Sequence, residues 1–173
     1  MAKSGNEDFR QVYLSENQMD LATNVLKDLF TKTAATAILL GDMTGQLLTK
    51  IGGLLDRDLE VFSVLAASNF TATSEMARLI GEKASFEVLF HEGEERSIYL
   101  MSIDDRYILE IIFKTTIPPG TVRIYAKKAK ESLKQIIQAE SMMVDISDIF
   151  DDNFSSLLDE QFDKTMNQKD PKK

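Results

Sequence analysis

The chain contains one histidine and no cysteine. This removes every thiol nucleophile, disulfide and cysteine-rich zinc site, and leaves His91 as the only imidazole. His91 stands beside Glu92, Glu94 and Glu95 around Gly93, where a solvated turn accounts for the charges and no orienting partner for a base is evident. A single histidine also makes a histidine metal cage or a Ser-His-Asp triad hard to build. Asp56 and Asp58 have the spacing of paired carboxylates or magnesium ligands, but helix capping explains them more simply. Gly41 and Gly45 have the spacing of a hairpin rather than a phosphate cradle, and GxxxxGK[ST] is absent, so no P-loop nucleotide site is expected. Arg123, Lys127, Lys130 and Lys134 form a row at helical spacing that no aromatic residue interleaves. In an acidic chain this reads as a solvated face rather than a nucleic-acid patch. These residues predict no catalytic group, no cofactor and no metal.

The 173 residues carry 20 Lys+Arg against 28 Asp+Glu, a net charge of −8, with 43% apolar content. That suits one domain with a proper core plus a tail, and the negative balance argues against nucleic acid as a partner. There is no apolar run of about 18 residues, and the start MAKSGNEDFR lacks the apolar stretch of a secretory signal, so a cytoplasmic protein with no membrane insertion is expected. Residues 141–173 hold 8 acidic and 4 basic side chains, and none of the basic ones precedes Lys164. This shift predicts a flexible N-terminus (1–15), a folded body (16–140) and an acidic C-terminal extension (141–173).

Within the body, Ser15-Glu16-Asn17-Gln18 has the form of a capping box, and Leu21, Val25, Leu26 and Leu29 recur at helical spacing over 16–31. Residues 34–40 and 46–51 flank Gly41-Asp42-Met43-Thr44-Gly45 and read as a hairpin. A long helix runs from Asp56 or Asp58 to about Ile80, stopped by Gly81. Strands over 86–91, 97–103 and 107–113 follow, then a Pro118-Pro119-Gly120 turn and a helix over 121–139. The 107–113 strand is apolar on both faces and belongs in mid-sheet, whereas 86–91 reads as an edge. The fold class is α/β of the α+β sandwich type. A central five-stranded antiparallel sheet has helices on both faces, in the order helix, two strands, long helix, three strands, helix, followed by an amphipathic tail helix.

Two stretches read as contact surfaces. Val61 to Ser74 contains no charged residue, where an ordinary surface helix of this composition would carry about four. A helical wheel gives one broad arc of Val61, Phe62, Leu65, Ala72, Met76, Leu79 and Ile80, expected to face the sheet. The outward arc is then Ser63, Val64, Ala67, Ser68, Thr71 and Ser74, with Phe70 alongside, as a partner or dimer face. Small side chains there allow close approach, and an arginine at Ala67 is expected to abolish contact while leaving the domain folded. The competing reading is a charge-poor stretch on a solvated helix. The edge strand, through Phe86, Val88 and Phe90, is a second candidate for dimer contact. In the extension, Ile146, Ile149, Phe150, Phe154, Leu157, Leu158 and Phe162 fall at steps of three and four. Such a stripe fits docking into a partner's groove, or packing back on the basic row of the last helix.

The element order, AILLGDMTGQLLTK in the first hairpin, the meander FEVLFHEGEERSIYLMSIDDRYILEIIF and Gly120-Thr121-Val122-Arg123 opening the last helix resemble the roadblock/dynein light chain family over residues 16–140. Within it the chain is similar to bacterial regulators of gliding motility and cell polarity. The resemblance implies a homodimer that binds a small Ras-like GTPase and stimulates GTP hydrolysis by remodelling it, without donating a catalytic arginine. It also implies that the C-terminal extension contacts the GTPase. Arg57, Arg96 and Arg106, at turns or strand starts, are the residues to test for a finger. The alternative within the family is a non-catalytic adaptor that bridges protein partners. A small-ligand sensor is a weaker option, since no cluster of convergent polar residues supports it.

Overall fold

The structure, a computed structural model, describes residues 14–53 and 56–139. Residues 1–13 of the expected flexible N-terminus, the acidic extension and its stripe from Ile146 to Phe162 lie outside the described residues, whereas Leu14 and Ser15, expected in that flexible segment, are described. Ser15 caps the first helix, α1 (Glu16–Thr33), in a complete capping box. Its hydroxyl accepts from the Gln18 amide at 3.3 Å, while Gln18 Oε1 accepts from the Ser15 amide at 3.0 Å. The buried stripe of α1 is Gln18, Ala22, Leu26, Leu29 and Thr33. Leu21, expected in that stripe, is instead 44% exposed.

A hairpin follows, β1 (Ala37–Asp42) and β2 (Leu47–Gly52), with a register shift at Leu40/Gly41. Asp42 builds its turn: Oδ1 accepts from the Thr44 amide, the Thr44 hydroxyl and the Gln46 amide at 2.7–2.9 Å. Gly45 takes φ +92°, and a Cβ there would meet the Val64 Cα at 2.8 Å, so the turn tip can press onto the next helix only with glycine. That helix, α2 (Asp56–Leu79), ends before Gly81 at φ +83°.

The meander is β3 (Val88–Glu92), β4 (Arg96–Ser102) and β5 (Tyr107–Lys114). All neighbours pair antiparallel in the order β2-β1-β5-β4-β3. The two-faced strand is therefore central and β3 lies at one edge. Phe86 stands outside β3, which starts two residues later than the alternation predicts; the Glu87 carbonyl still accepts from the Ser102 amide at 3.0 Å.

The last helix, α3, occupies 119–139 among the described residues. It starts inside the expected Pro-Pro-Gly turn, because Pro119 fits a first helical turn, where its missing N–H needs no partner. Gln18 Nε2 donates to the Ile136 carbonyl at 2.8 Å, tying α1 to α3. Leu59, Ala66, Ala67 and Phe70 of α2 pack on Leu39, Leu89, Leu100, Ile108 and Ile112. Alternation turns Ile38, Leu40, Leu109, Ile111 and Phe113, all fully buried, to the opposite face beneath α1 and α3. The sheet is covered on both sides.

Candidate functional site

The buried line of α2 is Leu59, Ser63, Ala66, Ala67, Phe70 and Ala77. Apart from Leu59 and Phe70 these are small side chains, and they let the helix lie close to the sheet, with Phe70 as the bulky anchor among Ala66, Leu89, Leu100 and Ile108. Diametrically opposite, Val61, Leu65, Ser68, Ala72, Met76 and Leu79 follow one another at steps of three and four, flanked by Val64 and Ile80. All eight are exposed, Leu65 by 63% and Leu79 by 76%. From Val61 to Leu79 the stripe is about 27 Å long at 1.5 Å per residue.

The expected inward arc therefore faces out, and part of the expected outward arc is buried. Ser63 (1% exposed), Ala67 (4%) and Phe70 (4%) were expected outward and are buried against the chain's own sheet. Val61, Leu65, Ala72, Met76, Leu79 and Ile80 were expected inward and face out, with only Phe62 half-buried. The physical reason lies in the sheet. Ile98, Leu100, Ile108 and Ile112 already bring bulk to this face, leaving room for alanine and serine rather than a second layer of large side chains. Of the predicted contact residues, Val64, Ser68 and Thr71 are exposed and Ser74 is half-buried.

At the β3 edge, Val88 is half-buried, and Phe90, 40% exposed, stacks 6.4 Å from Phe113 and lies 6.5 Å from Tyr99. Phe86 is exposed on the preceding segment. His91 does have a neighbour: its Nε2 lies 2.9 Å from the Asn69 amide nitrogen of α2. The basic row of α3 is not wholly solvated, since Lys130 is buried and paired with Glu87. That hydrogen bond and charge hold the Glu87 carboxyl below its usual range. Arg106 is engaged within the chain, donating to Asp104 Oδ2 at 3.1 Å over the Tyr107 ring. Arg57 and Arg96 are exposed.

One polar residue escapes a reading of β5 as apolar on both faces. Glu110 is fully buried under α2, with Oε1 accepting from the Ser63 hydroxyl at 2.9 Å. Its Oε2 has no hydrogen-bond partner among the described residues. Burial pushes the carboxyl from its ordinary 4.5 to about 7, against a lowering by the Ser63 bond. The signal was a lone glutamate in Tyr107–Phe113, where alternation puts it between Ile108 and Ile112.

The sheet carries one helix on one face and two on the other, and the outer face of α2 is exposed and largely apolar. Residues 21–113, more than half the chain, match the Roadblock/LC7 domain, and the chain belongs to that family. Among solved structures it is similar to MglB of Myxococcus xanthus, with 31% identity over 73% of this chain and 95% of that one, at a TM-score of 0.69. It is similar also to the gliding protein MglB from Thermus thermophilus, with 30% identity over 75% of this chain and 97% of that one, again at 0.69. A further MglB structure, in a tetrameric arrangement, matches at 30% identity over 75% and 96% of the two chains with the same TM-score. No curated protein sequence matches the chain significantly.

Proposed function

We propose that this protein is a homodimeric regulator that binds a small Ras-like GTPase and stimulates its GTP hydrolysis by remodelling it, without donating a catalytic residue. The observation that carries the reading is the outer face of α2. Val61, Val64, Leu65, Ser68 and Ala72 are exposed without a charge among them, and Met76, Leu79 and Ile80 continue the stripe past Glu75. A contiguous apolar face of this length marks an interaction surface on a folded domain. Similarity to MglB along nearly the whole of that protein supports the same class of task.

In this reading the stripe, through Leu65, Ser68 and Ala72, pairs with a second copy, and Val64 and Thr71 border the contact. The β3 edge at Val88 and Phe90 extends it. The 141–173 extension supplies a further contact to the GTPase through Phe150, Phe154, Leu157 and Phe162. Removing it is expected to weaken that complex about tenfold to a hundredfold while leaving the melting temperature of the body unchanged. The test is single-turnover GTP hydrolysis by a small Ras-like GTPase with and without the protein. An accelerated rate supports the regulator. Binding with an unchanged rate replaces it with the adaptor reading.

A further inference from the structure

The least expected feature of the molecule lies beneath the docking helix. Glu110 sits on the central strand β5, opposite Leu39 of β1 and Leu100 of β4 in register. From α2 it meets Ser63, and from β1 it meets Gly41, where a Cβ would come within 2.8 Å of Oε1. No charged side chain among the described residues contributes to its ionisation; only burial and the Ser63 hydroxyl do. The neighbouring Asp42 is occupied by Thr44 and Gln46. His91, on the edge strand, answers to Asn69, whose amide can turn to suit either state of the ring.

We propose that Glu110 is a proton-controlled lock on α2: as the neutral acid it seats the helix on the sheet, and as the carboxylate it loosens the helix and so weakens self-association through the outer stripe. An ionised oxygen with no donor is far more costly in this site than an unpaired neutral hydroxyl. Ionisation can be relieved only by admitting water between α2 and β5. A second copy on the outer face of α2 opposes that opening, because the helix can no longer lift. Dimer formation therefore favours the protonated residue and takes up protons by linkage. The titration of the buried carboxyl, at about 7, places this exchange in the neutral range.

The second half of the proposal rests on the dimer reading above, so two readouts are needed on the full chain. Hydrogen exchange of α2 amides, corrected for intrinsic rates and compared with β1 and β5, reads the lock in monomer or dimer. Sedimentation equilibrium reads self-association. Between pH 6 and pH 8.5 the parent should lose α2 protection selectively, and its dimer dissociation constant should rise about tenfold. Glu110→Gln, which keeps the shape and cannot ionise, should show neither change. Ser63→Ala removes the hydroxyl bond that stabilises the carboxylate, so it should move the α2 transition to higher pH. A merely structural hydroxyl would lower protection at every pH and leave the midpoint in place. Parent protection that changes no more than that of Glu110→Gln, or a Ser63→Ala midpoint that does not move, overturns the lock. A parent that is monomeric throughout yet loses α2 protection at high pH keeps the lock and removes its link to assembly.

Discussion

At the scale of single residues, burial decides what a substitution does. Ala67 touches the sheet, so Ala67→Arg forces an unpaired guanidinium into the core. It should destabilise the fold by about 3–5 kcal/mol, seen as a large drop in thermal midpoint rather than as a clean loss of binding. Glu110 makes stability depend on pH. Its folded value of about 7 lies above its ordinary 4.5, so across that interval the fold holds a proton that the unfolded chain has released. The associated stability is fully present below about pH 4.5 and is lost as pH rises through 7, by roughly 3 kcal/mol for a shift of about 2.5. Urea titrations at pH 5 and pH 8 should show the parent weakening by that order and Glu110→Gln by much less. Among the arginines, Arg57→Ala, Arg96→Ala and Arg106→Ala should each leave the stimulated rate within about tenfold, far from the 10³–10⁵ loss that follows removal of a finger.

At the scale of elements, most of the architecture was legible. Capping chemistry placed α1, turn chemistry at Asp42 and Gly45 placed the hairpin, and the two-faced pattern of Tyr107–Phe113 put β5 in mid-sheet. What remained illegible was the rotation of α2. Its stretch from Val61 to Ser74 is apolar or small all round, so amphipathicity gives no preferred face, and only the bulk already present on the sheet selects the small one. The same blindness hid Glu110, whose single charge is outvoted by six apolar neighbours in sequence. Lys130 was read as solvated because its row contains other lysines; its partner Glu87 lies 43 positions away. Lys130→Met should cost little, since the pair it breaks leaves Glu87 largely in water. The Glu87 carboxyl should return toward its ordinary range, which a chemical-shift titration would detect.

At the scale of the whole molecule, the fold leaves one helix with apolar side chains on both faces, one seated on the sheet and one bare. In the proposed function a second copy covers this stripe, because it supplies an identical, self-complementary one. Leu65 lies at the centre of the bare face and outside the core. Leu65→Arg should leave the monomer folded, since surface changes stay within about 0.5 kcal/mol, while breaking the contact and losing only the stability that association adds. Sedimentation equilibrium of the parent and Leu65→Arg at tens of micromolar tests this most directly. The parent should sediment at twice the 19.5 kDa chain mass and the variant at 19.5 kDa. A monomeric parent, or a variant that remains as dimeric as the parent, would contradict the account.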